Sequence, residues 1–110
     1  MKGDHIGELE ELVLLTVGSL YEQAYAVKIM DEIKEHSNRV IDVTAIHSVL
    51  RRLDKKGLVS SEMGGATADR GGRRKRFFKL TKAGRAVLDD TMAMRMNLYK
   101  KLPKLTFSSI

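Results

Sequence analysis

Asp42-Val43-Thr44-Ala45-Ile46-His47-Ser48-Val49-Leu50-Arg51-Arg52-Leu53-Asp54-Lys55-Lys56-Gly57-Leu58 is the stretch on which the fold turns. Val43, Ile46, Val49, Leu50 and Leu53 recur at spacings of three and four, one apolar stripe on a helix. Asp42 stands where an N-cap belongs, its carboxylate placed to accept a hydrogen bond from a free amide of the first turn. Gly57 supplies the stop, because helices end readily through a left-handed residue that glycine adopts cheaply. Thr44, His47, Ser48, Arg51 and Lys55 fall opposite the stripe, with Arg52 at the flank. A helix that lies in a DNA major groove needs such a face, with polar groups for base edges and cations for phosphates. The candidate contacts here are Thr44, Ala45, His47, Ser48, Arg51, Arg52 and Lys55. A solvated surface helix would carry similar charges, so this helix alone leaves both readings open.

Charge distribution separates them. The chain of 110 residues has a formal net charge of +6. Residues 1–43 hold four Lys/Arg against nine Asp/Glu, whereas residues 44–85 hold twelve against three. The excess begins with the helix above and runs on for about forty residues, the electrostatic footprint of a polyanion binder.

Upstream, Glu8 to Tyr21 carries Leu9, Leu12, Val13, Val17 and Leu20 at helical spacing, broadened by Leu14 and Leu15. That helix is apolar over more of its circumference than a one-sided surface helix needs, which implies two partners: its own core and another chain. Tyr25 to His36 reads as a second helix with Ala26, Ile29, Met30 and Ile33 inward. With the helix after Asp42 it makes a helix-turn-helix.

Downstream the period changes. Leu58 to Met63 is short and partly β-branched, as in an edge strand. Gly64 to Gly72 contains four glycines and reads as a loop, and Arg73 to Leu80 alternates with Phe78 and Leu80 on one face. The pair forms a hairpin. Thr81 then caps a helix from Lys82 to about Leu102, roughly 30 Å long, stopped by Pro103. Three helices, a hairpin and a final helix make an α+β, mostly α fold. It is a winged helix-turn-helix with a two-stranded wing and a C-terminal dimerisation helix. Residues 1–81 form the DNA-binding domain, and residues 82–110 the dimerisation helix and tail. The recognition helix covers about 43–56 and the wing about 64–76. Beside the wing tip, Arg70, Arg73, Arg74, Lys75 and Arg76 place five cations within seven residues. Guanidinium groups grip phosphates in a bidentate manner, and glycines let the backbone approach them.

Three stretches resemble the PadR-like bacterial transcriptional regulators. Glu8-Leu9-Glu10-Glu11-Leu12-Val13-Leu14-Leu15 is similar to the start of that family's first helix, and Thr44 to Leu58 to its recognition helix. Arg70-Gly71-Gly72-Arg73-Arg74-Lys75-Arg76-Phe77-Phe78-Lys79-Leu80-Thr81-Lys82-Ala83-Gly84-Arg85 resembles its wing strand and the start of its last helix. The resemblance covers roughly residues 7–88. It implies a homodimer held by the first and last helices, here through Leu12, Leu15, Leu88, Met92, Met96, Leu98 and Tyr99, and an inverted-repeat operator, with repression as the expected outcome. Many members have glycine where Ala26 and Thr44 stand and tyrosine where His47 stands. Thr44 and His47 face the DNA, so the sequence preference of relatives does not transfer. Some members respond to small aromatic or amphiphilic compounds at the dimer interface. The final helix here is short by family standards and has no tryptophan, so the sequence does not support an effector.

Other classes find little to stand on. There is no cysteine, and His5, His36 and His47 lack metal-ligand spacing. No serine sits in a nucleophile elbow or a phosphate-binding glycine motif. An enzyme is therefore not expected, and neither is a cofactor. No apolar run approaches a membrane span and Met1 to His5 lacks a secretory core, so a cytoplasmic protein is expected. The rival reading is a winged helix used for protein or RNA interaction without an operator.

Overall fold

The computed structural model describes residues 6–64 and 74–105. Helix α1 spans Glu8–Leu20, followed by a 3-10 turn at Tyr21–Gln23. Helices α2 (Ala26–Ser37) and α3 (Val43–Lys55) come next. Strands β1 (Val59–Met63) and β2 (Arg76–Leu80) and helix α4 (Lys82–Lys100) complete the chain. Every helix and strand expected from the sequence is present, with ends displaced by a few residues, while the expected loop at 64–72 lies outside the described residues beyond Gly64. Arg74 and Lys75 precede β2 rather than forming its start, and α4 ends before Leu102.

Several helix ends follow local chemistry. At Gly7 the backbone amide donates to Glu10 Oε1 (2.9 Å), half of a capping box that satisfies one orphan N–H of α1. Helix α2 stops at Asn38 in the left-handed region (φ 61°), a conformation asparagine tolerates. Asp42 is the first flanking residue of α3, but its side chain makes no capping hydrogen bond, contrary to the expectation from sequence. Helix α3 closes as a Schellman motif. The Leu58 amide donates to Leu53 O and the Gly57 amide to Asp54 O, both 2.9 Å, with Gly57 at φ 75°. Thr81 caps α4 by accepting from the Gly84 amide (3.0 Å), and its hydroxyl donates to Gly57 O (2.6 Å). One threonine thus ties the end of α3 to the start of α4.

The core is built where the stripes meet. Val13, Leu14 and Val17 of α1 pack with Ile29 and Ile33 of α2 and Ile46, Val49, Leu50 and Leu53 of α3. Leu58, Val59, Phe78, Val87 and Leu88 close the cluster from the hairpin and α4. The strands pair antiparallel from Val59 opposite Leu80 to Met63 opposite Arg76. The Phe78 amide donates to Ala24 O (2.8 Å), so β2 is fastened to the α1–α2 connection as well as to β1. Leu88 is buried within its own chain and has almost no surface to offer a partner, which removes it from the expected interface. Leu12 and Met92 are half-buried, whereas Leu15, Met96, Leu98 and Tyr99 are exposed. Among the described residues no helix is long and apolar enough to cross a membrane, and no group of three His, Asp or Glu could hold a metal.

Candidate nucleic-acid interface

Helix α3 turns its apolar stripe into the core, and this fixes what faces out. Thr44, His47, Arg51 and Lys55 are exposed, and Ser48 is half-buried. Ala45 is also half-buried and packs against the core, so it offers less contact area than its neighbours. Arg52 is drawn aside, its Nε donating to Glu10 Oε2 on α1 (3.2 Å).

On the hairpin, each described wing cation is held by a separate device. Arg76 Nη1 donates to Ser61 Oγ across the strands (3.0 Å), and Arg74 Nε donates to Gly64 O (3.3 Å). Lys75 Nζ lies 4.7 Å from the centre of the Tyr25 ring, a cation–π contact. Tyr25 in turn meets Phe77 edge-on, ring centres 5.5 Å apart. Arg70 and Arg73 lie outside the described residues.

The two parts share one surface. His47, Leu50, Arg51 and Asp54 of α3 and Ser61, Arg76 and Phe78 of the hairpin line a single cleft. Arg51 and Arg76 therefore share one concavity with His47 and Phe78. Such a site offers cations to phosphates and polar groups to base edges at once. Asp54 adds a carboxylate to the same cleft, which would accept from a base amino group but repel phosphate.

The sequence matches the transcriptional regulator PadR-like family over residues 13–90. The chain belongs to that family. It is accordingly a DNA-binding winged-helix transcriptional regulator, and PadR-like proteins are regulators rather than enzymes. A PadR-like transcription factor from Bacteroides fragilis is 27% identical and covers 84% of each chain at a TM-score of 0.68. A PadR family regulator from Eggerthella lenta is 25% identical over 84% of this chain and 80% of the other, with a TM-score of 0.64. One from Clostridium difficile shares the fold at 19% identity, covering 86% and 93%, with a TM-score of 0.71. No curated protein matches the sequence.

Sequence reasoning missed Tyr25, Asp54, Ser61 and Glu10. Asp54 was legible in principle, since it stands three residues after Arg51 and seven after His47. The other three are brought in by tertiary contacts that periodicity does not encode.

Glu10 is the deepest carboxylate described, its side chain 8% exposed. Burial pushes its pKa up, but hydrogen bonds from Lys56 and the Gly7 amide, the Lys56 charge and the Arg52 hydrogen bond outweigh this. The carboxyl is therefore held below the ordinary carboxylate value. A depressed folded pKa contributes stability that is present above the unfolded value, about 4.3, and lost as pH falls through the folded value. Glu10→Gln should lower stability by about 1.5–3 kcal/mol at pH 7, the range for hydrogen bonds to charged groups. The deficit should shrink as urea titrations move from pH 5 toward pH 3. A deficit equal at all pH values would mean that packing, not charge, is what the substitution disturbs.

Proposed function

We propose that the chain binds an inverted-repeat operator in duplex DNA as a homodimer and represses transcription in the cytoplasm. Residues 1–81 would engage DNA and residues 82–110 would pair the subunits. The observation that supports this best is the shared cleft, which puts Arg51 of α3 and Arg76 of the hairpin on one surface. In this reading α3 enters the major groove through Thr44, His47, Ser48, Arg51 and Lys55. The wing, through Arg70, Arg73, Arg74, Lys75 and Arg76, follows the neighbouring backbone. Two-fold pairing would set the recognition helices roughly 34 Å apart, one turn of duplex.

Selection from random duplexes, followed by fluorescence anisotropy at stated salt, tests the reading. An enriched inverted repeat, bound well above single-stranded DNA and RNA, is the expected result. Equal affinity for all three polymers, with no enriched sequence, would refute operator binding and favour an interaction module.

Arg51 and Lys55 make the reading specific. Both are exposed, so alanine opens no cavity and melting temperature should stay unchanged. Arg51→Ala should lower discrimination at one base position by about 1–3 kcal/mol if the guanidinium reads guanine. Lys55→Ala should weaken all duplexes alike and reduce the salt slope by about one contact. Unchanged binding by both folded variants would place α3 outside the groove.

A further inference from the structure

The recognition helix ends with four cations in six residues: Arg51, Arg52, Lys55 and Lys56. Two of them are already occupied. Glu10 Oε2 accepts from Arg52 Nε (3.2 Å), and Lys56 Nζ donates to both Glu10 oxygens (2.9 and 3.1 Å). The Gly7 amide also donates to Oε1 (2.9 Å), which fixes the carboxylate on α1 and leaves it little freedom to follow its partners elsewhere. Arg52 and Lys56 are four residues apart, so both leave α3 on its α1-facing flank. Ser48 precedes Arg52 by the same interval, which makes that flank the margin of the outward face. The Arg52 side chain is still 54% exposed and long enough to reach outward once released.

We propose that Glu10 limits non-specific DNA affinity: by holding Arg52 and Lys56 it withholds two cations of the recognition helix from the phosphate backbone. The inference rests on α3 being the DNA-facing helix. Phosphate neutralisation supplies the sequence-independent part of binding, and every phosphate engaged steepens the salt dependence. That part also holds a regulator on competing genomic sites, which vastly outnumber its operator. Glu10 therefore lowers the sequence-independent affinity that operator and random DNA share, and leaves the preference between them to base contacts. It touches no DNA itself and acts as a positioning residue through Arg52 and Lys56. The same hydrogen bonds hold the carboxyl ionised at neutral pH, so the pairing is present under ordinary conditions.

The test uses the full chain, a random-sequence duplex and anisotropy across a salt series. Glu10→Gln keeps the size of the side chain but removes the charge. It should bind the random duplex more tightly at low salt, with a log–log slope steeper by about 0.9 for every additional phosphate neutralised. Between 50 and 200 mM salt, one extra phosphate adds roughly a 3.5-fold loss of affinity, and two add roughly 12-fold. Adding Arg52→Ala and Lys56→Ala to Glu10→Gln should restore the original slope, which loss of folding alone would not do. In the otherwise unaltered chain, Arg52→Ala should leave the slope unchanged, and this measurement stands even if Glu10→Gln fails to fold. A shallower slope for Arg52→Ala, or an unaltered slope for folded Glu10→Gln, overturns the proposal. Loss of all salt-dependent duplex binding in the unaltered chain would instead overturn the DNA-facing reading of α3.

Discussion

Replacing Gly84 with alanine should destabilise the protein by about 3–5 kcal/mol, although the same change inside most helices is worth about 1 kcal/mol of stabilisation. The sign reverses because α4 starts against the backbone of Leu58, the residue between the end of α3 and β1. A Cβ built on Gly84 would lie 2.0 Å from Leu58 O and 3.0 Å from Leu58 C, and backbone atoms cannot swing aside. The first turn of α4 would have to lift away. That strains the Thr81 amide bond to Leu58 O (3.1 Å) and the Thr81 hydroxyl bond to Gly57 O (2.6 Å). Overpacking costs about 1–3 kcal/mol, and each weakened hydrogen bond adds about 1. Against a total stability of about 5–15 kcal/mol this is a large fraction. Thermal unfolding should show a fall on the order of 15 °C. Gly57→Ala provides the contrast. Nothing lies within 4 Å of its would-be Cβ, so only the positive φ opposes it, at about 1–2 kcal/mol. If Gly84→Ala melts at or above the unaltered chain, α4 does not start against the Leu58 backbone.

What the sequence revealed and what it concealed divide along a physical line. Periodicity reports burial of a face, so the α3 stripe of Ile46, Val49, Leu50 and Leu53 and its end at Gly57 were legible residue by residue. The same rule put Phe78 and Leu80 on one inward face of β2, where Phe78 is buried and Leu80 only half-buried. Contacts between distant segments have no period. Glu10 looks like one acid among several at a helix start, yet it meets Lys56, 46 residues away. Arg52 looks like a flank cation free for phosphate until α1 is packed beside it. Leu88 sits in a helix with apolar residues on several faces, and spacing could not say which belong to the protomer's own core. Asp42 shows a further limit, because a residue type suited to capping need not point its carboxylate at the helix. The basic run beside the wing was visible from composition, but how Arg74, Lys75 and Arg76 are each held depends on Gly64, Tyr25 and Ser61, which only the folded hairpin supplies.

Met96→Glu combined with Tyr99→Glu should convert a dimer into a monomer and lower operator affinity by about 100- to 10,000-fold, the range by which linked binding exceeds single-site binding. The expectation starts from how far α1 covers α4. Leu88 is buried, Met92 is half-buried, and Arg95 is tied to Glu11 through two hydrogen bonds (2.8 and 3.1 Å). Beyond Arg95, α4 is exposed and has no packing partner among the described residues. Met96 and Tyr99 continue the stripe of Leu88 and Met92, while Met94 and Leu98 form another row, Leu102 lies just past the helix end, and all five are exposed. Exposed apolar rows of that kind mark an interaction site rather than a solvated helix. Leu15, exposed on α1 beside Met92, extends the apolar area toward the domain. Because Met96 and Tyr99 are exposed in the protomer, glutamate there opens no cavity, and the melting curve of the monomer should report a folded winged helix. Buried at a two-fold interface, the same glutamates would face their symmetry mates and remain without cationic partners, a cost of several kcal/mol per ion. Light scattering at micromolar concentration should give twice the chain mass for the unaltered protein and the chain mass for the double variant. Affinity for a single half-site should stay nearly constant while affinity for the full inverted repeat falls. A double variant that remains dimeric and holds the full repeat as tightly as before would show that the subunits pair elsewhere.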